Sequence, residues 1–232
     1  MYARKKGVNK KVVVAIVLVV LIAVAAASII LLAKPNSPSA PTVKVGVRVG
    51  DYFTYSLRGT ATGPVPDTIS SDFTIYNDTS YFKVTVTGIN GTKITLDTEW
   101  ALKNGTTIPG PQTIDLASGI LGNNNGFYAL YPADMSANQT IYPHLYRNVW
   151  INGTEPTQYS SGPREANYYS SSEQIYYTQD PTHSTYGSVY TQVNFDKATG
   201  MLTDLFSETA YNNPQLETTI TWSLRDTNAW PY

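Results

Sequence analysis

The sequence predicts a mainly β protein, an N-terminal transmembrane helix followed by one curved, half-barrel-like antiparallel β-sheet. Three observations carry that prediction. Residues 12–33 are apolar except for Ser28. From Val43 onward apolar and polar side chains alternate with a period of two, the signature of half-buried strands. The chain also holds 18 tyrosines with frequent Thr and Val, residues that favour strands over helices.

The elements follow in chain order. Residues 1–11 form a basic tail with Arg4, Lys5, Lys6, Lys10 and Lys11 and no acid. The 22 residues from Val12 to Ala33 make a helix about 33 Å long, enough for a bilayer core of roughly 30 Å. Only Lys34 directly follows the run, so the charge asymmetry holds the N-terminus in the cytoplasm and sends the remainder outside. A cleaved signal peptide is the competing reading. Its apolar core is usually about 7–15 residues with small residues at the cut, whereas Ala25, Ala26, Ala27 and Ser28 are followed by Ile29, Ile30, Leu31 and Leu32. An uncleaved anchor fits better. With no Cys in the chain, a lipoprotein anchor is excluded.

Residues 34–42 form a linker in which Pro35, Pro38 and Pro41 block helix continuation and favour an extended form. Residues 43–232 form the outer domain, long enough for one core. Of 16 basic side chains six lie in the first 34 residues, leaving 10 against 17 acids and a formal charge of −7 outside. That sign argues against nucleic acid as a partner, since phosphate recognition needs a positive face. Without disulfides, stability must come from core burial and sheet hydrogen bonds.

Within the domain, Phe82, Val84 and Val86 alternate with polar residues, as do Ile94 and Leu96. Parity favours pairing Val86 with Ile94 and Val84 with Leu96 around a three-residue loop, Ile89-Asn90-Gly91, with Gly91 at positive φ. The same rule pairs Trp100 with Ile108 and Leu102 with Thr106 around Lys103-Asn104-Gly105, making a meander. Further strands are expected at Asp51–Leu57, Asp72–Tyr76, Glu173–Tyr177, Val189–Phe195, Leu202–Ser207 and Thr218–Leu224. Asp196 to Gly200 reads as a tight turn, Asp196 accepting a turn N–H and Gly200 free to take positive φ. Residues 117–137 fit neither period, and a short helical turn is expected around Pro132–Ser136.

Five Asn-x-Thr triplets, at Asn77, Asn90, Asn104, Asn138 and Asn152, match the glycosylation acceptor pattern on the side of the membrane where glycans are added. The triplets also make good turn chemistry in their own right. Catalytic signals are sparse. His144 and His183 have no metal-like spacing and no Cys to supplement them. No Gly-x-Ser-x-Gly elbow, phosphate loop or dinucleotide fingerprint occurs, so no cofactor is expected. Asp97 and Glu99 share the face of a strand opposite Leu96 and Trp100, which is the solvated one, and a general acid needs burial. A tyrosine cluster, Tyr168, Tyr169, Tyr176, Tyr177, Tyr186 and Tyr190, is the feature that suggests binding. Adjacent pairs must point to opposite faces, which leaves Tyr168, Tyr176, Tyr186 and Tyr190 as the candidate ligand contacts, suited to sugar stacking or protein contact.

Three segments carry a resemblance. Val45-Gly-Val-Arg-Val-Gly-Asp-Tyr-Phe-Thr-Tyr55, Gly162-Pro-Arg-Glu-Ala-Asn-Tyr168 and Val193-Asn-Phe-Asp-Lys-Ala-Thr-Gly-Met-Leu202 look like strands of uncharacterised archaeal membrane-anchored surface proteins. Such proteins are similar in layout to the half-open sheets of the bacterial lipoprotein-carrier families, which hold acyl chains in a concave face. The resemblance therefore implies a hydrophobic ligand or lipid, although the anchor departs from those carriers and no acyl-contacting residue is assigned by motif. Lys5-Lys6-Gly7-Val8 also resembles an archaeal pilin leader, but Lys10 and Lys11 stand where a pilin would already be apolar. The expectation is a membrane-anchored extracytoplasmic protein that binds an extracellular ligand or surface protein. A pilin-like filament subunit and a cell-surface glycan hydrolase are the alternatives.

Overall fold

The computed structural model describes residues 43–63, 71–122, 129–143, 148–176, 186–212 and 215–230. The predicted tail, membrane helix and linker, His144, His183 and Tyr177 lie outside the described residues. Val43–Tyr232 is one compact unit.

Its strands are β1 (Tyr52–Thr62), β2 (Thr79–Asn90), β3 (Lys93–Leu102), β4 (Thr107–Asp115), β5 (Leu121–Gly122), β6 (Thr140–Pro143), β7 (Asn148–Trp150), β8 (Gly153–Tyr159), β9 (Gly162–Tyr176), β10 (Tyr186–Asp196), β11 (Leu202–Asn212) and β12 (Gln215–Thr227). A single helix, α1 (Ser71–Asp78), precedes β2. Ten strands form one antiparallel sheet in the order β5-β4-β3-β2-β1-β12-β11-β10-β9-β8, and β6 pairs with β7 separately. Two meanders thus run outward from the central β1–β12 pair, with short turns joining β2 to β3, β3 to β4, β8 to β9 and β10 to β11, as antiparallel pairing allows, while α1 stands between β1 and β2.

The second hairpin has the expected register. Trp100 faces Ile108, the Leu102 N–H donates to the Thr106 carbonyl at 2.8 Å, and Gly105 takes φ +85°. The first differs from expectation. Asn90 pairs with Lys93, Val86 with Leu96 and Val84 with Thr98, with a register shift between Val86 and Gly88. The loop is therefore two residues, Gly91-Thr92, with Gly91 at φ +60°, the sign that the first position of a type II′ turn requires. Parity is restored by a bulge at Thr87, inside the strand, instead of by a bulge in the turn. Asp72–Tyr76 is not a strand but lies in α1. Five residues are too few to tell an alternating strand from one helical face, and packing decided it: the Tyr76 ring sits 5.9 Å from Trp100 and 6.1 Å from Trp222. Pro132–Ser136 carries an isolated bridge from Ala133 to Lys44 and a turn at Asp134, whose φ is +56°, and no helical turn.

The core joins Phe53 and Tyr55 of β1, Val84 of β2, Ile94 and Leu96 of β3, Ile114 of β4, Val193 and Phe195 of β10 and Trp222 of β12. An aromatic group at its centre sets Phe82 5.1 Å from Trp222 and 5.2 Å from Trp100 in edge-to-face contacts, the geometry that ring quadrupoles prefer. The segment that fitted no period covers this core. Ala129, Leu130, Tyr131, Ala133, Met135 and Ile141 are buried, and Tyr131 stacks on Phe195 at 4.6 Å. Backbone bonds fix the cover to the sheet, with the Leu202 N–H on the Ala129 carbonyl (2.9 Å) and the Tyr131 N–H on the Gly200 carbonyl (2.7 Å).

Both free edges carry prolines. On β4, even residues turn their backbone toward β3, as the Leu102–Thr106 bond shows, so Pro109 and Pro111 turn outward. On β8, Pro156 opposes Glu165, whose carbonyl accepts the Lys197 N–H at 2.9 Å. Pro156 therefore also faces the open edge, where a missing N–H costs no ladder bond.

Candidate binding site

The three resembling segments converge on one rim of the sheet. Phe195 and Asp196 end β10, and a turn follows in which Asp196 Oδ1 accepts the Thr199 N–H at 2.8 Å and the Thr199 hydroxyl at 2.7 Å, with Gly200 at φ +75°. Arg164 of β9 bridges Asp196 through both guanidinium nitrogens, at 2.6 and 3.2 Å, and the Asp196 side chain is only 1% exposed. Gly46 passes so close to this turn that an added Cβ would lie 2.7 Å from both Ala133 Cβ and Thr199 Cα. Asn167, fully buried, donates to the Met135 carbonyl at 3.0 Å and accepts the Thr154 hydroxyl at 2.5 Å. The first segment's glycine, the second's Arg and Asn, and the third's Asp thus lock strand ends and cover together.

Beside this junction lies a pocket of about 470 Å³ between the β8–β9 turn and the end of β12, lined by Gln158, Tyr159, Ser160, Ser161, Leu224, Arg225, Asp226, Thr227 and Trp230. In sheet order β10 and β11 stand between β9 and β12, so the turn reaches over the ends of both to form it. Trp230 packs against the Arg164 guanidinium, 4.8 Å from its ring centre, and against the tilted Tyr159 ring at 4.7 Å. Among the described residues the buried side-chain polar atoms that lack a well-formed hydrogen bond are Tyr159 Oη, Ser161 Oγ, Thr203 Oγ1 and Trp230 Nε1, and of these the Tyr159 and Thr203 hydroxyls lie close enough to interact with one another. Three belong to residues lining this pocket, and Thr203 adjoins Tyr159. Each such atom costs about 1–3 kcal/mol when nothing answers it, so their gathering at one place is costly unless something from outside the chain does.

The pocket wall carries both signs of charge, Arg225 beside Asp226. Burial raises the Tyr159 phenol above its usual pKa against hydrogen bonds with Thr203 and Thr157 that pull it down, and the charges of Asp204 and Asp196 push it up. Burial also raises the Asp204 carboxyl, against a hydrogen bond from Ser223 that pulls it down. Tyr55, fully buried beneath, donates to the Leu202 carbonyl at 3.0 Å, and desolvation with the Asp204 charge holds it neutral.

The tyrosines singled out in sequence lie elsewhere. Tyr176 pairs directly with Tyr186, and Tyr168, Tyr176, Tyr186 and Tyr190 share one strand parity, opposite that of the buried Val193 and Phe195. Tyr169, of the other parity, packs against Tyr131 at 6.0 Å on the core side. Tyr168 covers Gly153, its cross-strand partner. Tyr190 is 37% exposed and donates to Gln192 Oε1 at 3.1 Å. Near them a groove of about 440 Å³ runs along Ser172–Gln174, Gly187 and Ser188, and Ala210–Asn212.

All five acceptor asparagines are exposed. The Asn104 oxygen accepts the Thr106 N–H at 2.9 Å, and the Asn152 oxygen accepts the Ser170 N–H at 3.0 Å. Asn138 takes φ +66°. Asn77 is different, because its amide both donates to the Gly59 carbonyl (2.7 Å) and accepts the Gly59 N–H (3.1 Å). It replaces a strand neighbour where β2 pairs only with Tyr52–Tyr55 of β1. Asp97 is exposed and Glu99 half-buried, with Glu99 accepting the Tyr81 hydroxyl.

Sequence reasoning missed the rim pocket. Trp230 and Tyr159 stand in no motif, and the signal was confined to Arg164 and Asp196 in the resembling segments. Compared with known proteins, the chain matches no family model and no curated sequence is similar to it.

Proposed function

We propose that this is a single-pass surface protein whose outward β domain binds a ligand or partner rather than transforming it, and that the rim pocket is where it binds. The gathering of under-satisfied buried polar atoms at that pocket carries the reading, Ser161 Oγ and Trp230 Nε1 with no partner and the Tyr159 and Thr203 hydroxyls beside them. The membrane part of the proposal rests on the 22-residue apolar run with its basic flank and on a compact unit that begins at Val43, beyond that run. A curved, half-barrel-like sheet is part of the same reading. One core cluster draws on β4 and β10, six strands apart, which at about 4.8 Å per strand would be roughly 29 Å in a flat sheet. A hydrophobic ligand on the core-facing side would have to displace the buried cover of residues 129–141, so the polar rim is the better-supported site.

The proposal is tested on intact cells of the native source. External protease should trim the domain to an anchor fragment that stays with the membrane. A domain protected until lysis overturns the orientation, and a domain recovered free of membrane overturns the anchor.

A further inference from the structure

We infer that the rim pocket takes a neutral, polyhydroxylated ligand of the saccharide class. This deepens the binding reading and rests on it. The hydrogen-bond inventory points to that chemistry. Trp230 Nε1 can only donate, while the hydroxyls of Tyr159, Ser161 and Thr203 both donate and accept. A set of one donor and three two-way groups is answered by a molecule with several hydroxyls, each able to give and take. An acyl chain would leave Ser161 Oγ and Trp230 Nε1 unpaired.

Charge favours a neutral ligand. Arg225 and Asp226 both line the pocket, Arg225 donating to the Ser80 carbonyl at 3.4 Å and Asp226 accepting the Tyr52 hydroxyl at 3.0 Å, so the wall carries both signs and offers an ion of either sign no net counter-charge. Behind the wall Arg164 is committed to Asp196. The site is also held in shape, as small-ligand recognition requires. The Ala229 N–H bonds Thr227 Oγ1 at 3.0 Å. With Arg164 and Tyr159 packed against the Trp230 ring, its polar contribution is the N–H edge, and Leu224 with the Tyr159 ring supplies the apolar wall. At about 470 Å³ the pocket falls within the range of roughly 300–1,000 Å³ usual for small-molecule sites.

The test uses the full-length chain, ¹⁵N-labelled, in a zwitterionic detergent free of sugar headgroups. The Trp230 indole N–H resonance is assigned by its loss in Trp230→Phe and followed during titration with glucose, N-acetylglucosamine and trehalose, with inorganic phosphate and decanoate as controls. At least one sugar should shift that resonance saturably, and Tyr159→Phe and Ser161→Ala should each weaken binding tenfold or more while melting no lower than wild type. No saturable shift with any of the three sugars overturns the inference, as does a shift that both variants retain unchanged. A response to phosphate or decanoate alone assigns a different ligand class and also overturns it. Failure of the protease test would refute the membrane reading and leave this titration unaffected, so the two can fail separately.

Discussion

Removing the carboxylate of Asp196 is the sharpest test of the rim junction. Asp196 makes two bonds to Arg164 and two to Thr199, and its side chain is 1% exposed while that of Arg164 is 19% exposed. Asp196→Ala strips the guanidinium of its partner and leaves the Thr199 N–H unanswered. Breaking one side of a buried pair costs about 3–5 kcal/mol. At about 2–4 °C per kcal/mol for a domain of this size, the melting midpoint should fall by roughly 6–20 °C. Asp196→Asn keeps an oxygen for the turn and removes the charge, so it separates turn from ion pair. Thermal and urea melts of wild type, Asp196→Asn, Arg164→Met and the double variant complete a cycle. The double variant should be more stable than the two single losses predict when added, by about 0.5–3 kcal/mol. Simple additivity would refute the claim that the two charges depend on each other.

Other perturbations test other elements. Gly105→Val should destabilise by about 1 kcal/mol or more, and Gly91→Val similarly, because both glycines sit at positive φ with open space around an added Cβ, so the cost is backbone strain alone; unchanged melts would sink the turn assignments. Asp204→Asn should raise stability at neutral pH. Its carboxyl has a raised folded-state pKa, led by burial, so ionisation destabilises the fold as pH climbs from the unfolded value through the folded one. The advantage of Asn should vanish below the ordinary Asp value of about 3.9, and a variant less stable at neutral pH contradicts the reasoning. Finally, peptide mapping of the native folded protein should find any glycan on Asn104 or Asn152 and none on Asn77. Attachment replaces the amide hydrogen cis to the oxygen, the one that Asn77 shares with the Gly59 carbonyl; a glycosylated Asn77 would refute the pairing.

What could be read from the sequence was what local chemistry decides. Lys103-Asn104-Gly105 carries its turn in its residues, and Asp196 with Gly200 likewise. The register of the first hairpin was not legible, because a bulge at Thr87 and a longer loop satisfy parity equally well. The α1 segment misled for a related reason. Five residues cannot separate periods of 2 and 3.6, and the deciding partners, Trp100 and Trp222, lie far along the chain. Tyr168 and Tyr169, adjacent on β9, take opposite faces as strand alternation requires. The rim pocket was invisible because Tyr159, Thr203 and Trp230 meet only after the β8–β9 turn crosses two strand ends, a long-range event with no local signature.

The prolines at 109, 111 and 156 have a bearing on how copies of this chain coexist. A sheet with two open edges is a template that a neighbouring molecule can extend, strand by strand, without limit. Each outward proline removes a donor where an incoming strand would need one, and β5, only two residues long, offers little purchase on its side. Crowded molecules can therefore slide past one another with their edges facing and still remain separate. Replacing these prolines would leave the fold's own ladders intact and expose the chain to growth into fibres.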